Sequence, residues 1–336
     1  MDPLHLDPLL VEKPWGGRRL AALGRRLPEG VPVGESWDVA DLDPAATPVP
    51  DPASRVAHGP LAGRALADVI ASDGDDLLGA APPTASGRFP LLVKHLDARE
   101  HLSVQVHPPA AVVPRFPGSR LKTESWVVVA AEPGAELFLG VVDGVAPDDV
   151  EKAAGTPDLV PMLRRVPARV GDVHHLPAGL LHALGAGVLV AEPQTPSDTT
   201  FRLYDWTEEY GRAPRVLHLD ESLACLRAEW GVNLSPPAPV VGDGVVVDTE
   251  HYSVTRTTSG DGGRVAVPSR PTARVVVVIR GRLAGGALAV PLGPGQVVVL
   301  PAAWAGPLAA EPGTTWLDVD LGSAGAREPD RTALGG

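Results

Sequence analysis

Residues 171–202 read GDVHHLPAGLLHALGAGVLVAEPQTPSDTTFR and combine a turn, a strand and three polar side chains. Gly171, Pro177 and Gly179 punctuate a tight reversal, so His182, three places after Gly179, leaves the turn at a fixed angle. The apolar run Val188, Leu189 and Val190 predicts a buried strand ending at Glu192. A segment with turn chemistry, Ser197 to Thr200, then leads to Arg202. A histidine, a carboxylate and a guanidinium on neighbouring strands of one sheet can face one cavity.

The 336 residues suffice for two domains or one large all-β unit. The 37 glycines and 37 prolines lack a collagen-like period and lie between short Val-rich runs, which predicts many short strands joined by turns. A formal net charge of -12 argues against nucleic-acid and anionic-membrane partners. Any anionic ligand must therefore be held by a local cluster of Lys and Arg. Cys225 is the only cysteine, which excludes an intrachain disulfide. The amino-terminal MDPLHLDPLLVEKPW has no basic region before an apolar core and does not read as a signal peptide. Apolar runs such as residues 275–279 are too short to span a bilayer, so the expected location is the cytoplasm.

Upstream of the opening stretch lie several candidate strands. Lys13 to Gly17 and Gly34 to Val39 each place a tryptophan beside small residues, as in an early β layer. Residues 64–72 have the spacing of a short surface helix. The run Phe89 to Leu96 is an apolar strand carrying Lys94, which either snorkels or enters a polar pocket. In the segment 102–108, alternation places Ser103, Gln105 and His107 on one face and Leu102, Val104 and Val106 on the other. That polar face is either solvated or part of a site. Lys122 and Glu124 open the next strand, as an edge ion pair or as pocket groups. Residues 147–166 carry two short helical patterns split by Gly155 and Pro157, read as an insertion. Residues 215–230 read as a helix bridging to a second Val-rich unit at about 236–325. The turn from Gly293 to Pro301 resembles the one before His182, but Ala303, Trp304 and Ala305 follow it instead of a histidine.

Gln105, His107, Glu124 and His182 together offer two imidazoles, a carboxylate and an amide oxygen, a set that suits a divalent metal of borderline softness. His174 and His175 are placed inside the turn and need not face the cavity.

The spacing Gly171-x5-Pro177-x-Gly179-x2-His182 resembles the second cupin motif, lacking only its terminal asparagine. With Lys13–Gly17, Gly34–Trp37, Leu102–Pro108, Lys122–Thr123–Glu124-x-Trp126, Pro177–Ala183 and Ser197–Arg202, residues 10–210 resemble the type I mannose-6-phosphate isomerase family in its short bacterial form. Leu180, Pro193, Pro196 and His95 depart from the family's usual residues, and Pro193 is expected to interrupt the strand after Glu192.

The resemblance implies a mainly β chain of two cupin-type, jelly-roll β-barrel domains with a few short helices. A catalytic domain would span 1–210, a helical connector 211–235, a cupin-like domain without a metal site 236–325 and a flexible tail 326–336. It implies one zinc ion per chain on Gln105, His107, Glu124 and His182, with Arg202 as an essential active-site residue. The reaction would interconvert mannose-6-phosphate and fructose-6-phosphate by proton transfer through a cis-enediol(ate). Glu192 or Lys122 would be the base, and Lys94, Ser103, Lys122 and Arg202 would contact the substrate. The expected partner is a small sugar phosphate, with no nucleic acid and no membrane, and the chain is expected to be a monomer or weak homodimer. His107, Glu124 and His182 also form the set of an iron-dependent cupin oxygenase, and a non-catalytic sugar-phosphate-binding cupin is the other alternative.

Overall fold

The computed structural model describes residues 1–322, so the expected tail over 326–336 lies outside the described residues. The fold is mainly β, and the strands of the described residues form four sheets. A five-stranded sheet runs in the order Phe201–Tyr204, Val104–Val106, His182–Leu184, Glu136–Val141, Leu163–Pro167. A six-stranded sheet runs Val173–Leu176, Glu124–Ala131, Val188–Gln194, Leu92–Ala98, Leu9–Gly17, Val33–Val39.

Period-two alternation assigns each strand's faces. Trp126, Val128, Val190 and Leu96 of the six-stranded sheet share a core with Leu137, Leu139 and Leu184 of the five-stranded sheet. Val127, Ala191 and Val93, on the opposite face, pack with Tyr252, Val254, Val275 and Val277 of a seven-stranded sheet. That sheet in turn uses Val276, Val278 and Trp316 against a three-stranded sheet carrying Leu283 and Leu308. Strands buried on both faces explain why runs such as residues 275–279 are continuously apolar.

Leu4–Asp7 pairs with Val297–Leu300, so the chain's first strand extends the seven-stranded sheet formed mostly by residues 244–321. The helix expected at 64–72 runs over Leu66–Leu78 and buries Leu66, Val69, Ile70, Leu77 and Leu78. Helix Pro147–Ala153 and the 3-10 turn Pro157–Met162 match the two patterns read there. They are no mere insertion, because Val150, Ala153 and Leu159 belong to the core on the outer face of the five-stranded sheet. Helices Leu219–Ala228 and Trp230–Leu234 cover the same face through Ala224, Cys225 and Leu226.

Two local expectations are corrected. The strand predicted to end at Glu192 runs on to Gln194, with Pro193 inside it opposite Val93. The pairing with the Glu124 strand skips the positions between Ala191–Val127 and Gln194–Glu124, which spares the proline a ladder bond it cannot donate. His174 and His175 are not in the turn but on the strand Val173–Leu176, opposite Trp126 and Ser125. The turn proper bends at Gly179, whose φ of 85° and close approach to Glu229 leave no room for a side chain; a Cβ there would sit 2.3 Å from that of Glu229.

Candidate metal centre and substrate pocket

Residues paired across an antiparallel ladder project to one face. In the five-stranded sheet Arg202 pairs with Gln105, and Gln105 with His182, which puts three polar side chains in a row. In the opposing sheet Glu192 pairs with Lys94, and Lys94 with Trp37. Glu124 enters one strand away, opposite Gln194. The two rows face each other across the sandwich, and the cleft between them is lined by Lys94, Ser103, Gln105, Lys122, Glu192 and Arg202.

The side chains of His107, Glu124 and His182 are buried, with ligand atoms within 4.8 Å of one another. His107 Nε2 lies 3.2 Å from Glu124 Oε2, and His182 Nε2 lies 3.4 Å from Glu124 Oε1. His182 Nδ1 donates to the Leu180 carbonyl at 2.8 Å, so the lone pair of a neutral ring sits on Nε2, toward Glu124. Burial depresses both imidazoles, pushing His107 down to about 3, with the Lys122 charge adding to the effect. Burial opposes ionisation of Glu124, but Lys122, His107 and His182 together hold its carboxyl well below the usual range.

Acceptors therefore converge on acceptors. Neither nitrogen of His107 and neither oxygen of Glu124 has a hydrogen-bond partner, although Lys122 Nζ is ion-paired to Glu124 Oε2 at 2.8 Å. Leaving such atoms unmatched costs about 1–3 kcal/mol each, and a cation held among them removes that cost. Gln105 Nε2 lies 3.3 Å from His182 Nε2 while Ser103 Oγ donates to its Oε1 at 3.1 Å. A half-turn of the amide would present the oxygen to the same point. This donor set fits a divalent cation of borderline softness.

Residues 4–115 match the model for the catalytic domain of type I phosphomannose isomerase. The chain is 34% identical over 238 residues to a mannose-6-phosphate isomerase of Streptococcus mutans, covering 70% of this chain and 71% of the relative. It is 33% identical over 287 residues to the probable mannose-6-phosphate isomerase GmuF of Bacillus subtilis, covering 83% and 86%. The chain belongs to the type I mannose-6-phosphate isomerase family. In structure it matches the mannose 6-phosphate isomerase of Bacillus subtilis with a TM-score of 0.77 at 27% identity, over 95% of this chain and 99% of the other. A mannose 6-phosphate isomerase bound with zinc and yttrium shares the fold, with a TM-score of 0.67 at 17% identity over 96% and 100%. The family is one of isomerases, and the chain is an enzyme of that kind.

In this member of the isomerase family Glu192 is 2% exposed and accepts from Trp126 Nε1 at 2.8 Å. Burial, helped by the Glu124 charge and opposed by Lys122 and Lys94, pushes its carboxyl up to about 7. The sequence left Lys94 between snorkelling and a pocket; it is buried in the pocket. Its Nζ lies 3.3 Å from Glu35, 3.8 Å from Asp198 and 4.0 Å from Glu192, and 4.8 Å from the centre of the Trp37 ring. Burial opposes its charge, and the carboxylates of Glu35, Asp198 and Glu192 more than reverse this, raising it. Arg202 donates through Nη1 to the Val216 carbonyl at 3.0 Å, and its buried Nε has no partner.

The structure adds residues to which the sequence reading gave no role. Glu35 accepts from Trp37 Nε1 at 2.6 Å and bridges Lys13 and Lys94; its sequence motif marks a tryptophan beside small residues and says nothing of its charge. Asp198 was read only as turn chemistry, yet Thr47 Oγ1 donates to it at 2.8 Å while it faces Lys94. Arg215 lines the cleft and is paired with Asp205. Asn233 accepts from Leu181 N at 2.6 Å and donates to the Gly179 carbonyl at 2.9 Å, clamping the turn that carries His182. No sequence signal marks it, because the contact joins segments 52 residues apart. Among the described residues no helix is long and apolar enough to cross a membrane.

Proposed function

We propose that the chain is a zinc-dependent isomerase that interconverts mannose-6-phosphate and fructose-6-phosphate, moving a proton between C1 and C2 through a cis-enediol(ate). One observation carries the reading: two neutral imidazoles and a carboxylate converge, with the ring nitrogens of His107 and the oxygens of Glu124 lacking hydrogen-bond partners, beside a buried glutamate with a raised pKa. Gln105, His107, Glu124 and His182 would hold the zinc, which when bound would polarise the sugar carbonyl and offset charge developing on oxygen.

Glu192 is the base. Its pKa lies near neutrality, where a carboxylate exchanges a proton with carbon most effectively, and Trp126 fixes its direction. Lys122, the competing candidate, is ion-paired to Glu124 and suits donation to a substrate oxygen. The unpartnered Nε of Arg202 can donate to an enediolate or phosphate oxygen. The carboxylates around Lys94 already engage its charge, as Glu124 engages that of Lys122, which favours Arg202 and Ser103 for the phosphate. The same reading assigns catalysis to residues 1–210 and treats 211–235 as a connector. It takes 236–325 as a second cupin-like unit, to which Leu4–Asp7 contributes a strand. It is further taken to act in the cytoplasm, as a monomer or weak homodimer.

The test is a coupled assay for fructose-6-phosphate formed from mannose-6-phosphate, with and without chelator, alongside metal analysis. Turnover that needs about one zinc per chain is expected. Oxygen consumption with iron and no isomerisation would overturn the assignment.

A further inference from the structure

Tyr252 belongs to the strand Tyr252–Thr258 of the seven-stranded sheet, outside the sheets that carry the metal ligands. It is fully buried, and its hydroxyl reaches across the layer boundary into the six-stranded sheet. There it donates to the Pro193 carbonyl at 3.1 Å and lies 2.9 Å from Ser125 Oγ. Ser125 Oγ in turn lies 3.1 Å from His175 Nδ1. With the phenol hydrogen committed to Pro193, the donors can run one way: His175 to Ser125, Ser125 to Tyr252, Tyr252 to Pro193. Every group in this chain is then satisfied.

The place of this contact matters. Ser125 lies between Glu124 and Trp126, and Pro193 follows Glu192. On the pocket side Trp126 Nε1 holds Glu192. On the reverse side the phenol joins the two neighbouring positions, where the pairing of the strands is skipped and proline lacks an N–H. We infer that Tyr252 is a positioning residue for the isomerisation: its hydroxyl replaces the missing ladder contact between the Glu124 and Glu192 strands and fixes Glu192 relative to the metal ligands. The seven-stranded sheet thereby sets the geometry of the pocket without contacting substrate.

This inference rests on the isomerase reading, and one experiment separates the two. Wild-type turnover tests that reading; the ratio of variant to wild type tests this one. Tyr252→Phe keeps the ring and removes the hydroxyl. It is expected to lower kcat about five- to tenfold, the scale of one neutral hydrogen bond, with zinc content unchanged and KM within about twofold because no substrate contact is lost. Val277→Ala, at a buried position of the same sheet, is the control: it should lower the melting temperature and leave kcat alone. Should Tyr252→Phe not fold, Ser125→Ala, which removes the other arm, decides by the same criterion. The inference is overturned if kcat is unchanged, or if Val277→Ala lowers kcat as much. It also falls if the wild type has no turnover.

Discussion

Two proline–glycine turns of the molecule, one in each half, begin alike and end differently. The first runs from Gly171 through Pro177 and Gly179 and delivers His182; the second runs from Gly293 through Gly295 and Pro301 and delivers Trp304. Behind the first, the space between sheets holds imidazoles, carboxylates and ammonium groups. Behind the second, Trp304 packs with Trp316, Val276, Val278, Leu283 and Leu308. The second interior is mostly apolar volume, which needs no partners, with Arg274 and Asp318 beside it. The first joins an apolar core to a cluster of charge, and every charged member requires a counter-charge, a donor or a cation. The polar interior depends on outside support for this reason: Asn233 braces its turn from a helix, and Trp126 and Trp37 each donate to a buried carboxylate.

The contrast can be broken experimentally, in order of expected effect on turnover. Glu192→Gln removes the proposed base while keeping its shape, and kcat should fall about 10²- to 10⁴-fold with zinc retained. In the wild type the base acts deprotonated, so kcat should rise with pH toward about 7 and level off above it; the variant should lack that limb. His182→Ala removes one proposed ligand and should cost about 10²- to 10³-fold in kcat together with measurable loss of zinc. If zinc content and turnover both survive, the site is misassigned. Asn233→Ala leaves Leu181 N and the Gly179 carbonyl without their partner and should destabilise by about 1–3 kcal/mol. It should also weaken zinc affinity about 10-fold, as loss of a supporting contact does, which a competitive chelator titration would read. Trp304→Ala should leave turnover unchanged while costing about 3–5 kcal/mol of stability, read by denaturant unfolding. A fall in kcat there would mean that the two interiors are coupled more closely than their cores suggest.

Much of this was legible in the sequence, and the reasons are local. Strand alternation around Gln105 and Trp126 separates pocket face from core face, and the Gly179 turn fixes where His182 emerges. Leu102 escapes the alternation rule because it precedes the strand Val104–Val106 and joins the inter-sheet core with Trp126. Pro193 misled for a related reason: proline forbids a donated bond but not an extended backbone, and the strand tolerates it where pairing is skipped. What stayed illegible is long-range. Asn233 sits in a segment read as a connector, Asp198 in a turn, and Tyr252 lies 127 residues from Ser125. Nothing nearby in the chain marks any of them, because their significance arises only when distant strands and helices are stacked.

The first strand gives the molecule a particular order of assembly. Leu4 pairs with Val299, 295 residues later. At about 5–20 residues per second of synthesis, some 15–60 s separate the emergence of the two partners from the ribosome. Through that interval Leu4–Asp7 can pair with Arg55–Val56 but lacks its other neighbour, and the outer face of the six-stranded sheet, with Val93, Val127 and Ala191, is covered only in part, by residues such as Leu66, Val69 and Leu77. A nascent chain of this kind has reason to engage a chaperone before its last strand arrives.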